Sequence, residues 1–127
     1  MANFYRRRDK WNAVVSRLNV VARDFDGLGY EEKVYFGLYD AYRKLSDDAK
    51  KRIEIGRAEL AAAQAEKEKT GDSEAVQVKL RDAEQHIKDA EAALKDAEGK
   101  PEQALQTLVA KYPDTDAAKR ARRVLEK

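Results

Sequence analysis

The chain has 127 residues, of which 39% are charged and 8% aromatic, and its 26 basic side chains nearly balance its 24 acidic ones. A net charge of +2 gives no global field that would draw the chain to nucleic acid or acidic lipid. The absence of cysteine excludes a disulfide framework and a thiolate metal site. No apolar run approaches the roughly 18 residues that suggest a membrane span.

The first two predicted helices meet at Asp9-Lys10. We expect residues 2–8 to end one helix, Asp9-Lys10 to form a turn, and residues 11–25 to form the next helix. Apolar residues of this second helix recur at spacings of three and four, which indicates a buried stripe. The stripe consists of Val14, Val15, Leu18, Val21 and Ala22.

A loop of sequence Asp-Gly-Leu-Gly at residues 26–29 separates this helix from the next one. Glycine accepts positive φ at little cost, so the two glycines should end the helix. Residues 30–45 are predicted to form another helix that packs antiparallel to the first. Its apolar face consists of Val34, Leu38, Ala41, Tyr42 and Leu45.

A different kind of pattern begins after Leu45. Ser46 is a favourable N-cap, and it predicts a new helix that runs from residue 49 to about residue 69. Residues 70–73, of sequence Thr-Gly-Asp-Ser, predict a reversal, with Asp72 or Ser73 as the cap of a return helix. Both helices repeat small and apolar residues at alternating spacings of four and three, the pattern of a coiled-coil seam. The seam residues are Ala49, Ile53, Gly56, Leu60 and Ala63, then Val76, Leu80, Ala83, Ile87, Ala90, Leu94 and Ala97. We therefore expect an antiparallel coiled-coil hairpin on the order of 35 Å long.

The last two predicted helices follow this hairpin. Lys100-Pro101 begins one helix, because proline is tolerated at the first helical positions. That helix ends at Tyr112-Pro113, and Asp114 or Thr115 should cap the final helix, which spans residues 116–127.

The helices on either side of the hairpin resemble each other. Phe25 and Tyr112 each end a helix and are 87 residues apart, a separation shared by Val34 and Ala121. When the 53 residues from Asp47 to Gly99 are set aside, the 87-residue separation becomes 34 residues, the period of a tetratricopeptide (TPR) repeat. We predict an all-α fold of TPR-like helical hairpins with an inserted long antiparallel coiled-coil hairpin. The predicted segments are 1–46 (last full repeat), 47–99 (insertion) and 100–127 (closing helix pair).

The sequence offers no convergent set of polar residues for catalysis, no glycine-rich phosphate loop and no metal-ligand cluster. The only histidine, His86, lies on the polar flank of the predicted coiled coil, where we expect it to face solvent or join a salt bridge. We therefore expect no enzyme activity, no cofactor and no metal.

Two groups of arginines are candidate partner-binding residues. Arg6, Arg7 and Arg8 could bind phosphate or an acidic partner, although solvated bases at a helix end explain them more simply. Arg17 lies beside the apolar stripe, and could either cover apolar neighbours or reach a carboxylate of a partner bidentately. Spacing alone favours the first role for Arg17.

Several segments resemble the last repeat of the BamD family, the TPR lipoproteins of the machinery that folds outer-membrane β-barrels. The resemblance covers residues 3–46. It rests on Phe4-Tyr5 with Arg6-Arg7-Arg8, Lys10-Trp11-Asn12-Ala13-Val14-Val15-Ser16-Arg17-Leu18, Arg23-Asp24-Phe25, Gly29-Tyr30-Glu31-Glu32-Lys33-Val34 and Ala41-Tyr42-Arg43-Lys44-Leu45. Tyr112-Pro113-Asp114-Thr115 is a shorter match. Asp26 departs from the family, which usually has proline there, and the hairpin is not a standard family feature.

The resemblance implies a periplasmic, outer-membrane-associated scaffold whose C-terminal part docks onto a POTRA domain of a BamA-type protein. Arg17 occupies the position of the arginine that the family carries at this contact, so the resemblance moves Arg17 towards the partner-binding role. We expect the chain to begin inside a longer protein that is held at the membrane only by a lipid anchor outside this fragment.

Two other functions remain open at this stage. One is a periplasmic coordinator or oligomerising adaptor of the Tol-Pal type, which self-associates through the coiled coil or an exposed apolar N-terminal end. The other is nucleic-acid binding through residues 6–10, and the near-neutral charge makes it the weaker of the two.

Overall fold

The computed structural model describes residues 2–127, and it describes side chains from Arg7 onward. This part of the chain is all-α, as predicted, and contains no strand. Its five helices are α1 (Ala2–Asp24), α2 (Glu31–Thr70), α3 (Glu74–Ala97), α4 (Lys100–Lys111) and α5 (Asp116–Leu125). None of the described helices combines the length and the apolar character needed to cross a bilayer.

The predicted turn at Asp9-Lys10 is wrong, because α1 runs without interruption from Ala2 to Asp24. Neither residue fixes a non-helical backbone, as proline or a glycine with positive φ would. Ending the helix here would leave several backbone groups without their i→i−4 partners, and a cap by Asp9 would replace only part of those bonds. The two predicted helices are therefore one element, α1, and Phe25 follows its end.

The loop between α1 and α2 has the predicted glycine geometry. Gly27 and Gly29 have φ angles of 79° and 88°, in the left-handed region that glycine adopts without steric cost. The amide of Leu28 donates to the carbonyl of Phe25 at 3.3 Å, and the amide of Gly29 donates to Glu31 Oε1 at 3.3 Å. These bonds close a short, defined turn.

The predicted helix start at Ser46 is also wrong. α2 is continuous over 40 residues, so Ser46 and Asp47 lie in the helix interior rather than near a free N-terminus. A serine cap stabilises a helix by about 1 kcal/mol. An uninterrupted helix instead keeps every backbone hydrogen bond around Ser46, which outweighs the cap. Asp48 consequently lies on a buried face, 8% exposed, and among the described residues its Oδ2 has no hydrogen-bond partner.

The described chain divides into two compact units. The first comprises Met1–Leu45 with Ala97–Lys127, and the second comprises Ser46–Asp96. The boundaries expected from the sequence follow residues 46 and 99. The first unit is therefore built from two segments that are about 50 residues apart in the sequence.

The first unit has one apolar core, to which α1, α2, α4 and α5 all contribute. Leu105 and Leu108 of α4 are fully buried, together with Ala121 of α5. The buried cluster contains Val34, Tyr35, Leu38, Ala104, Leu105, Leu108, Ala117 and Ala121, and Val15, Leu18, Val21 and Ala22 of α1 pack against it. Segments before and after the hairpin thus share the burial of their apolar faces, the main favourable contribution to folding.

The residues paired by the predicted repeat have unequal surroundings. Val34 and Ala121 are both buried in the core. Phe25, in contrast, is 46% exposed with its ring against Tyr30, whereas Tyr112 is half-buried with its ring centroid 6.4 Å from that of Tyr35. The TPR-like repeat stays a prediction.

Both C-terminal helices begin with recognisable caps. Gly99, at φ 76°, precedes α4, whose first positions include the buried Pro101. Thr115 caps α5, since its hydroxyl accepts from the amide of Ala118 at 3.1 Å. Of the two caps considered from the sequence, Thr115 is the one used.

The second unit is an antiparallel hairpin of the second half of α2 with α3. Gly71 has a φ of 89° at the reversal, and Ser73 caps α3 by accepting from the amide of Val76 at 3.2 Å. Every residue of the predicted seam within this unit is buried or half-buried; the buried ones are Ala49, Ile53, Gly56, Ala63, Val76, Ala83 and Ala90. The small residues of this seam let the helices approach closely.

Two helical glycines mark the closest approaches, and they differ in what a methyl group would meet. A Cβ on Gly56 would lie 2.7 Å from Ile87 Cγ1 and 3.5 Å from the Ile87 amide nitrogen. A Cβ on Gly37 would lie 2.8 Å from Leu18 Cδ1, a terminal methyl group of that side chain. The first neighbour is held near the backbone, and the second can rotate away.

We predict opposite effects for the same substitution at these two positions. Alanine in a helix interior is favoured over glycine by about 1 kcal/mol, while overpacking costs about 1–3 kcal/mol. Gly56→Ala should lower the free energy of unfolding by about 1 kcal/mol, whereas Gly37→Ala should leave it unchanged or raise it. Urea unfolding followed by helical circular dichroism measures both. A Gly56→Ala variant at least as stable as Gly37→Ala would contradict the close seam.

A second pair of variants tests the buried carboxylate of α2. Asp47 is exposed and neighbours Asp48, so replacement of either by alanine gives the same gain in helix propensity and the same change in charge. Only Asp48→Ala removes a buried oxygen without a partner, which costs about 1–3 kcal/mol. We expect Asp48→Ala to raise the midpoint of urea unfolding more than Asp47→Ala does. The reverse order would show that the Asp48 carboxylate is a stabilising group.

Candidate protein–protein interaction site

An apolar cleft of about 300 Å³ opens between α1 and the start of α2. Its walls come from one face of α1, from the first turn of α2, and from Phe25 and Tyr30 in the segment between them. The lining residues are Leu18, Val21, Phe25, Tyr30, Lys33 and Val34. Five of these six side chains are apolar or aromatic, and Lys33 carries the only formal charge among them.

The loop beside the cleft presents further apolar surface. Leu28 is 66% exposed, and Phe25 and Tyr30 are each close to half-exposed. The rings of Phe25 and Tyr30 meet edge to face, with centroids 6.2 Å apart. Large apolar side chains that cluster at a surface mark interaction sites more often than isolated ones do.

Arg17 lies on α1 at the edge of this cleft. It precedes Leu18 and is one helical turn before Val21, both of which line the cleft, and its side chain is exposed. Within residues 7–127 the structure gives it no hydrogen bond or ion pair. Arg17 therefore stays a candidate for an ion pair with a carboxylate of another molecule.

Of the other predicted arginines, the structure describes the side chains of Arg7 and Arg8. Arg7 is exposed and Arg8 half-buried on α1, while the side chain of Arg6 lies outside the described residues. Arg8 and Arg17 are nine residues apart, which is two and a half helical turns, so they point to opposite sides of α1. Arg7 makes an interaction of its own.

Charges of both signs lie around the loop. Arg23 Nε donates to Asp24 Oδ1 at 2.9 Å in the last turn of α1. This hydrogen bond lowers the pKa of the Asp24 carboxyl below its ordinary value and raises the pKa of Arg23. Both groups are at the surface, so the pair favours the carboxylate without adding appreciable stability.

The start of α2 is held by α5. Arg120 forms an ion pair with Glu32, and its guanidinium carbon lies 5.3 Å from the ring centroid of Phe36. This contact and the shared core hold α2 in place. They thereby also hold Tyr30, Lys33 and Val34, which line the cleft.

The polar contacts of the hairpin are structural. His86 Nδ1 lies 3.0 Å from Glu59 Oε2, and Lys79 Nζ lies 2.8 Å from Glu66 Oε2; each pair joins α3 to α2. His86 therefore takes the paired role that was one of the two expected for it. No group of three or more histidine and acidic side chains that could hold a metal ion occurs within residues 7–127.

Sequence reasoning missed the cleft. It treated Phe25 as a helix-ending residue and Tyr30 as a helix start, and it gave Leu28 no role. The available signal was a leucine between two glycines, flanked by two aromatics, because a loop with no recognition role rarely needs that much apolar surface.

Comparison with protein-family models, with curated proteins and with solved structures finds no match to this chain.

Proposed function

We propose that this chain is a non-catalytic scaffold for protein–protein interaction, the C-terminal part of a BamD-like component of the outer-membrane β-barrel assembly machinery. The proposed partner is a periplasmic POTRA domain of a BamA-type protein. In this proposal the helix pairs are TPR-like, the parent protein is periplasmic and lipid-anchored at the outer membrane, and no cofactor or nucleic acid takes part.

The exposed Arg17 at the edge of the apolar cleft carries the proposal. A guanidinium presents a planar fork of donors that matches a carboxylate, and an adjacent apolar surface excludes water from such a pair. An ion pair at the rim of an apolar contact fixes the orientation of two proteins. Arg17 also occupies the position of the arginine in the BamD-type segment that the sequence resembles.

The closed core of the first unit supports a scaffold role. Its buried cluster is apolar, and the described surface carries an open cleft with an apolar lining. Such a surface suits binding of a folded domain better than it suits chemistry on a small molecule.

The alternative is a periplasmic coordinator or oligomerising adaptor of the Tol-Pal type that self-associates through the coiled coil. The hairpin gives this alternative less support, because its own two helices already bury the seam. Val76, Ala83 and Ala90 are at most 1% exposed, and Val78 is the one large apolar side chain that the described part of the hairpin leaves exposed.

The test is the affinity of Arg17 variants for the POTRA fragment of a BamA-type protein, measured by isothermal titration calorimetry. We expect Arg17→Glu to weaken binding by about 30-fold or more, since it replaces an attractive contact by a repulsive one. Arg17→Lys should weaken binding less, because it keeps the charge but loses the bidentate geometry.

The matched control is Arg57→Glu, which reverses the charge of an exposed arginine in the second unit. It should leave the affinity unchanged. Equal binding by wild type and Arg17→Glu would remove Arg17 from the interface, and no binding by wild type would remove the proposed partner.

A further inference from the structure

The surface at the α1–α2 loop is both concave and convex. The cleft is the concave part, and Leu28, at 66% exposure, is the most exposed large apolar side chain of the described residues. Leu28 and the cleft are joined by Phe25 and Tyr30, which line the cleft and flank the loop. The two shapes therefore belong to one continuous apolar patch.

The loop holds Leu28 away from the core. Positive φ at Gly27 and Gly29, with the hydrogen bond from the Leu28 amide to the Phe25 carbonyl, fixes the turn that carries the side chain. Because the turn is defined, little conformational entropy is lost when Leu28 enters an apolar pocket on another molecule.

The patch carries one charge of each sign among its lining and loop residues that could pair across a two-fold contact. Lys33 is the charged residue of the cleft lining, and the exposed Asp26 lies on the loop beside Leu28. Asp26 lines a small hollow that shares Phe25 and Tyr30 with the cleft, so a cation and an anion lie within one patch and each can pair with its opposite on a second copy.

The geometry points to a second copy of this chain as the occupant of the cleft. In a two-fold symmetric contact, each Leu28 enters the cleft of the other copy, and each Asp26 meets the Lys33 of the other copy. A two-fold axis brings the same patch of each copy into the interface, so every contact between the copies occurs twice. This contact does not involve the coiled coil, and it occupies the cleft whose edge carries Arg17.

A contact made by one loop and one cleft of each copy predicts a weak, concentration-dependent dimer. Specific interfaces below about 1,200 Å² belong to transient complexes. The weight-average mass from sedimentation equilibrium should rise from monomer towards dimer between about 1 μM and about 500 μM protein, the range of such complexes. A monomer throughout this range would overturn the proposal.

Substitutions locate the contact. Leu28→Asp should weaken the dimer at least tenfold. It should not change the helical circular dichroism, because Leu28 is an exposed residue of the loop. Val78→Asp is the matched control, because Val78 is exposed on α3. This substitution should leave dimerisation unchanged. A dimer that is lost on Val78→Asp and kept on Leu28→Asp would place the contact on the hairpin and overturn the proposal.

A charge exchange tests the pairing of the two copies. Asp26→Lys and Lys33→Glu should each weaken the dimer several-fold, since each brings like charges together. The double variant, Asp26→Lys with Lys33→Glu, should restore it, because every pair again has opposite charges. Double-variant dimerisation weaker than that of either single variant would contradict the two-fold arrangement.

Discussion

Burial of one apolar core by two distant segments is the constraint on which this structure depends. Leu105 and Leu108 of α4 are fully buried, and they share a cluster with Val34 and Leu38 of α2. Neither α4 nor α5 is long enough to be stable as an isolated helix, since helices shorter than about 12–15 residues are marginal in water. Their stability comes from packing on the helices that precede the hairpin.

This constraint also positions the surface on which the functional proposals rest. α1 is held against α2 where Leu18 meets Gly37, and α5 is held against α2 through Arg120 with Glu32 and Phe36. The cleft lies between α1 and the start of α2, beside a loop set by two glycines. Binding at this surface therefore acts on a scaffold that the core has already ordered.

Periodicity predicted the helices and their buried faces because these follow from local spacing. The seam residues Ile53, Gly56 and Val76 were identified correctly, as was the reversal at Gly71. The two errors, a turn at Asp9-Lys10 and a helix start at Ser46, share one cause. Capping and charge preferences are worth about 1 kcal/mol, and they do not outweigh continuous backbone hydrogen bonding where no glycine or proline interrupts the helix. The cleft could not be predicted in this way, because it depends on the relative placement of Leu18, Tyr30 and Lys33 from different elements.

The central claim is that residues 46–96 form a separate unit inserted into a core made by the chain on either side. The most direct test is a variant that joins Ser46 directly to Lys100, studied by thermal unfolding and by hydrogen exchange at the amides of Leu105 and Leu108. We predict a helical protein that unfolds cooperatively, with both amides protected as in the full chain. A variant that unfolds without cooperativity, or in which these amides exchange freely, would show that the hairpin is part of the core and would contradict the account.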